Sequence, residues 1–206
     1  MTSITRRMVG PSAVTLIFAA SIAAAQQPGT VRVRGTIESV DGPMLTVKTR
    51  EAAMMKVKLA DNAPVRAVVR ASPTDVKQGS FVGITAVPQP DGNQKAVEIH
   101  IFPEAMRGTG EGHRPWDLMP NSTMTNATVG NEVASVEGPK LVLKYKDGEK
   151  TIVLPPNVTV VTFVPATTAD LKPGENIFVA AATKEPDGTL DAPNVTVGRD
   201  GVNPPM

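Results

Sequence analysis

Val31-Arg32-Val33-Arg34-Gly35-Thr36-Ile37-Glu38 alternates apolar and polar residues at a period of two, and Asp41-Gly42-Pro43 then breaks the pattern. Successive side chains of an extended strand point to opposite faces, so Val31, Val33 and Ile37 share one face and Arg32, Arg34 and Glu38 the other. That is the signature of a half-buried antiparallel strand. Gly42 accepts the positive φ of a tight turn and Pro43 cannot donate to a central ladder, so the chain reverses there. Met44 to Thr49 returns with Leu45 and Val47 inward. Met55, Val57 and Leu59 repeat the alternation, and the Met54-Met55 pair is assigned to that hairpin and its core. Val65 to Val69 is a fourth strand. Ser72-Pro73-Thr74-Asp75-Val76-Lys77-Gln78-Gly79 then reads as a capped single turn, with the Ser hydroxyl taking an orphan amide and Pro in the first turn. Phe81 to Val87 and Ala96 to Phe102 complete the set around a turn at Pro90-Asp91-Gly92-Asn93. In the last strand Val97, Ile99 and Ile101 share a face, which leaves Glu98 and His100 on the other, read as a solvated surface.

The same order of features then returns. Ser39-Val40-Asp41-Gly42-Pro43 matches Ser135-Val136-Glu137-Gly138-Pro139, Leu45 and Val47 match Leu141 and Leu143, and Asp91-Gly92 matches Asp187-Gly188. Asp75-Val76-Lys77-Gln78-Gly79 matches Asp170-Leu171-Lys172-Pro173-Gly174, and every match lies 95 or 96 residues on. A period this long belongs to repeated domains, not to a solenoid of short units. Six short strands per copy, nearly free of helix, predict an all-β fold of two tandem small β-barrel modules related by internal duplication. The modules are expected to be of the oligonucleotide/oligosaccharide-binding (OB) type. The expected boundaries are a first module over 31–102, an ordered connecting loop over 103–126, a second module over 127–198 and a tail over 199–206. Strand content leaves open whether each copy closes its own barrel or the two exchange strands within one body.

The scheme of strand, Asp-Gly turn, strand, then Ser/Thr-x-x-Asp-Leu/Val-Lys-x-Gly at 72–79 and 167–174 resembles uncharacterised exported bacterial β-barrel modules that occur singly or in tandem. Phe102 to Leu118, with its Arg107-Gly108-Thr109-Gly110-Glu111-Gly112-His113-Arg114-Pro115-Trp116-Asp117 core, and the ending Gly201-Val202-Asn203-Pro204-Pro205-Met206 are similar to a narrower set of exported proteins from soil proteobacteria. The resemblance implies a periplasmic barrel protein and no particular activity.

Residues 1–25 read as a cleaved export signal: Arg6 and Arg7 form a charged start, Val14 to Ala25 an apolar run, and Ala23-Ala24-Ala25 a cleavage site. This predicts a periplasmic protein with no stable membrane insertion after cleavage. Arg6 and Arg7 are the only charged residues removed, so the 21 basic and 20 acidic residues become 19 and 20. A near-neutral chain whose charges alternate along strands lacks the one-signed basic surface that nucleic acid requires. With no cysteine in the chain, disulfides, thiolate metal sites and thiol nucleophiles are excluded.

The unusual side chains collect in 103–126: Met106, Arg107, Glu111, His113, Arg114, Trp116, Asp117, Met119 and Met124, with Trp116 the single tryptophan. Gly108-Thr109-Gly110-Glu111-Gly112 lacks the spacing and the following helix of a phosphate cradle. His100 and His113 are the only imidazoles, and no Gly-x-Ser-x-Gly elbow occurs, so no enzyme activity is expected. Two readings of the loop compete. In the first, Trp116, Leu118, Met119 and Met106 plug the junction between the copies, with Arg114 and Asp117 paired nearby. The protein is then a non-enzymatic binding or structural module without cofactor, using Arg107, Glu111, Arg114, Trp116 and Asp117 as surface for a periplasmic or envelope protein. In the second, His113, Met119 and Met124 bind Cu(I), with Trp116 as cap and Met106 as a substitute ligand, because thioether and imidazole suit that ion. The loop is similar in composition to the site of small periplasmic copper chaperones, which use one His, two Met and a capping Trp on a five-stranded barrel. It departs from them in placing His113 three residues before Trp116 and the methionines in a proline-containing loop.

Overall fold

The structure, a computed structural model, describes residues 29–133 and 139–204. The export signal expected over 1–25 and the turn residues Ser135, Val136, Glu137 and Gly138 lie outside them. The fold is all-β. Fourteen strands join in one hydrogen-bonded sheet. The first half supplies β1 (Thr30–Asp41), β2 (Met44–Thr49), β3 (Met54–Leu59), β4 (Val65–Arg70), β5 (Phe81–Pro88) and β6 (Gln94–Ile101). A short β7 (Gly112–Pro115) precedes β8 (Thr123–Val133), β9 (Lys140–Tyr145), β10 (Gly148–Val153), β11 (Thr159–Pro165), β12 (Asn176–Lys184), β13 (Leu190–Ala192) and β14 (Val195–Gly198). Helix among the described residues is confined to 3-10 turns at Pro73–Asp75, Glu104–Met106 and Thr168–Asp170. No helix there is long and apolar enough to cross a membrane. The first and third turns carry reciprocal capping boxes, Ser72 with Asp75 and Thr167 with Asp170, which satisfy amides that so short a helix leaves orphaned.

Five strands close a barrel: β1 pairs β2, β2 pairs β3, β3 pairs β13, β13 pairs β12, and β12 returns to β1. A second circuit of five closes in the same manner through β8, β9, β10, β6 and β5. Each circuit contains one parallel pair, β3 with β13 and β10 with β6, while the other pairings are antiparallel. Between the circuits β14 runs parallel to β4, β4 antiparallel to β11, and β11 parallel to β6.

Neither circuit is built from one expected module. The first combines β1, β2 and β3 with β12 and β13 from the other half of the chain, and the second combines β8, β9 and β10 with β5 and β6. The boundaries 31–102 and 127–198 therefore do not delimit the barrels. The physical reason lies in β4 and β11, which pair with each other and carry each half of the chain across into the opposite circuit. The loop expected to reach 126 is also shorter, because β8 begins at Thr123 and pairs with β7.

Burial follows the circuits. Val33, Ile37, Leu45, Val47, Val57 and Leu190 fill the first barrel, and Val82, Ile84, Ile99, Leu141, Leu143 and Ile152 fill the second. Each such side chain contributes about 1.5–3 kcal/mol when removed from water. A third cluster lies between the barrels and is mostly aromatic: Val68, Phe81, Phe102, Val161, Phe163 and Phe178. Val202 of the tail packs into it, and Arg199 Nη2 donates to Asp170 Oδ1 at 2.8 Å. Met54 and Met55, assigned to the core from sequence, are exposed. Val57 and Leu59 alone carry the inward face of β3.

Candidate binding site

The site begins with a fault in β6. Thr85 of β5 pairs Glu98 while Ala86 pairs Ala96, so Val97 is an extra residue, a β-bulge. Ala96 and Ile99 both enter the second core, and Glu98 and His100 take the outer face of that barrel. That outer face is not solvated. His100 is 1% exposed and Glu98 is buried, because the first barrel and the 103–122 segment cover them. The reading of His100 as a solvated residue is therefore corrected. The period-two pattern gave its face correctly, but a face turned away from one core meets a second apolar surface here.

Two rows of paired residues face the junction. Across the second barrel the row is Asn126 on β8, Gly83 on β5, His100 on β6 and Val161 on β11. Across the first it is Arg34 on β1, Phe178 on β12, Thr196 on β14 and Arg66 on β4. Gly83 leaves the space that His100 occupies, since a Cβ there would overlap the imidazole Nε2 and Cε1. The ring stands edge-on to Phe102 at 4.8 Å and to Phe163 at 5.9 Å between centroids, and Phe102 stacks on Phe163 at 5.4 Å. Burial with no compensating charge, reinforced by Arg114, lowers the His100 pKa to about 3, so the ring is neutral. Glu98 receives a 2.8 Å hydrogen bond from Thr85 Oγ1, and burial raises its pKa to about 7.

Between the rows is a cavity of about 260 Å³, lined by His100, Asn126, Phe178, Thr196 and Arg66 together with Met106, Arg114, Trp116 and Met124. Three of its lining residues carry a buried polar atom with no hydrogen-bond partner: His100 Nδ1, Trp116 Nε1 and Asn126 Oδ1. Each such atom costs about 1–3 kcal/mol if it stays unsatisfied. Asn126 is fixed by Nδ2, which donates to Thr109 O at 2.9 Å.

Trp116 is held by a turn that Ser122 clamps. Its backbone N donates to Ser122 O at 2.8 Å, and Ser122 Oγ lies within hydrogen-bond reach of both Trp116 O and Met119 O. Asn121 takes the left-handed conformation that closes the turn. Arg32 stacks over the indole at 4.1 Å, and Arg114 lies at 5.5 Å. Asp117 pairs with Arg34 at 2.9 Å and Arg32 at 3.3 Å, not with Arg114 as the sequence implied. Arg114 Nη1 instead donates to Gly110 O at 2.7 Å. The two β1 arginines compete for that carboxylate because β1 brings both beside the 103–122 segment. Their charges hold the Asp117 carboxyl below its usual range despite partial burial.

The proposed copper ligands are not brought together. His113 pairs with Thr125 across β7 and β8, whereas Met124 pairs with Arg114, so alternation puts His113 and Met124 on opposite faces of that ribbon. His113 Nδ1 is 2.8 Å from Thr125 Oγ1, and Met119 is 44% exposed on its turn. Met106, Met124 and Trp116 do line one cavity, and the imidazole beside them is His100. Among the described residues no group of three or more His, Asp or Glu is placed to hold a metal ion. Of the remaining loop residues, Arg107 is tied to Glu104 and to Gly79 O, and Glu111 accepts from the Lys146 amide at 3.0 Å. Both brace the segment outside the cavity.

His100, Asn126, Gly83, Phe178 and Arg66 were missed by sequence reasoning. A usable signal existed. Phe102 is in phase with Glu98 and His100, and Phe178 alternates out of phase with Ile177 and Val179. Aromatics on the nominally polar phase mark a second buried face. Gly83 inside a strand is a second mark, of close approach by another group. Comparison with protein-family models, curated proteins and solved structures finds no match.

Proposed function

We propose that this chain is a non-enzymatic exported binding protein whose ligand site is the cavity between the two barrels. The observation that carries the reading is a cavity with aromatic and thioether walls, lined by two arginines and by three residues that each hold a buried polar atom without a hydrogen-bond partner. Sites of this kind are concave and mostly apolar, with a few polar groups that orient the ligand. The strand order of both circuits, with a parallel pair in each, supports OB-like modules that arose by duplication and exchanged strands. A ligand site between modules uses that exchange, because both barrels contribute walls. The non-enzymatic reading rests on the imidazoles: His100 Nδ1 has no hydrogen-bond partner among the described residues, and His113 pairs with a threonine without a carboxylate to orient it. A purified mature chain should show Trp116 emission changes and a raised melting temperature with small single-ring compounds at millimolar concentration. A panel that moves neither signal would sink the cavity as a binding site.

A soft-metal site is the second reading, favoured by the shared lining of His100, Met106, Met124 and Trp116. A neutral imidazole and two thioethers suit Cu(I). Arg66 and Arg114 in the same lining work against a cation. Stoichiometric Cu(I) under reducing conditions that neither quenches Trp116 nor stabilises the fold would remove it.

A further inference from the structure

The cavity's charge identifies the class of ligand. Arg66 and Arg114 both line it, and neither forms an ion pair among the described residues. The Arg66 guanidinium makes no hydrogen bond among the described residues either, and Arg114 spends one guanidinium nitrogen on Gly110 O. The other arginines nearby, Arg32 and Arg34, share the single carboxylate of Asp117. No carboxylate lines the cavity. Two uncompensated guanidinium groups beside a wall of Phe102, Phe163 and Phe178 leave a positive potential that low-dielectric surroundings strengthen.

Size narrows the class. A cavity of roughly 150 Å³ holds benzene, and drug-sized ligands occupy roughly 300–1,000 Å³. About 260 Å³ therefore accommodates one ring with a short polar arm.

We infer that the cavity binds a small aromatic monocarboxylate, its ring against the phenylalanines and its carboxylate between Arg66 and Arg114. Guanidinium suits this role because its planar donors match a carboxylate in pairs. The neutral His100 then serves as wall rather than as counter-charge. The inference rests on the cavity being the binding site, and the experiment separates the two.

The probes are 3-phenylpropionate and its uncharged amide, 3-phenylpropanamide, followed by calorimetry and Trp116 fluorescence on the whole mature chain. The carboxylate is expected to bind at least about tenfold more tightly than the amide, the ratio that a charged hydrogen bond commands. Arg66→Gln and Arg114→Gln should each reduce carboxylate affinity by about tenfold and leave amide affinity within about twofold. Equal binding of acid and amide by the wild-type chain overturns the carboxylate inference and leaves the cavity reading standing. Binding of neither probe overturns both. The wild-type comparison decides the matter even if an arginine variant fails to fold.

Discussion

The rows Arg34–Phe178–Thr196–Arg66 and Asn126–Gly83–His100–Val161 occupy corresponding positions in the two barrels and face the same junction, yet one strand position holds a phenylalanine and its counterpart a glycine. Phe178 fills space and lies under Arg34 at 4.8 Å. Gly83 makes space, and His100 enters it. Two similar barrels stacked face to face would otherwise present two equal surfaces with no gap. The asymmetry between filler and vacancy lets the His100 ring lie against β5 on one side of the junction, while Phe178 closes the other.

Five substitutions test that contrast, beginning with the filler. Phe178→Ala should cost about 3–5 kcal/mol in urea unfolding, since it empties a buried ring site in the aromatic cluster. A loss under about 1 kcal/mol would mean that the first row does not support the junction. Gly83→Ala comes next, at about 1–3 kcal/mol, because the added methyl meets an imidazole that Phe102 and Phe163 confine. Trp116 emission should shift with it, and an unchanged spectrum with unchanged stability would show that His100 yields freely.

The pH dependence of the intact protein is a smaller effect because its two sources oppose. Glu98 has a folded pKa near 7 against an ordinary 4.5. Between those values the folded state keeps a proton that the unfolded chain has lost, so stability falls as pH rises. His100 has a folded pKa near 3 against an ordinary 6.5, and there stability rises with pH. The slopes offset between about pH 4.5 and 6.5. Glu98→Gln should leave stability rising through that interval, and His100→Gln should leave it falling. Arg34 and Arg50 act on the first group and Arg114 on the second, all in the sense of reducing positive charge or favouring the carboxylate. Parallel urea midpoints for the two variants would remove the buried pair from this account. The smallest change is Asp117→Asn. Its carboxylate is half exposed between Arg32 and Arg34, so at most about 1 kcal/mol is lost. Trp116 quantum yield should respond more than stability does, as the two arginines are freed over the indole.

Much of the fold was legible in residues 31–102. Every strand expected there forms, the turn at Gly42-Pro43 sits between paired Asp41 and Met44, and both Ser/Thr-x-x-Asp turns cap themselves. The corresponding turn of the second half falls on residues outside the described ones, between the paired Val133 and Lys140. Of the candidate site, Trp116, Met106, Met124 and Arg114 were named from the loop's composition and do line the cavity. His113 and Met119 were named on the same ground and do not. Nearness in sequence misled there, because adjacent residues of a strand such as His113 and Arg114 face opposite ways, and Met119 sits exposed on the turn that follows. His100 was set aside because its face is polar in pattern, and pattern does not report what covers a face.

The sequence by itself determined the strands of residues 31–102, their turns and inward positions such as Val33, Ile37, Leu45 and Val47, because these depend on backbone conformation and on a period that two or three neighbours express. Tertiary structure alone decided that β4 and β11 pair across the middle of the chain, that each barrel borrows two strands from the other half, and that two outer faces meet over Gly83 and Phe178. Those outcomes depend on contacts between residues far apart in the chain. Local alternation is the same whether a strand closes its own barrel or its neighbour's, so only the packing of the two halves could choose.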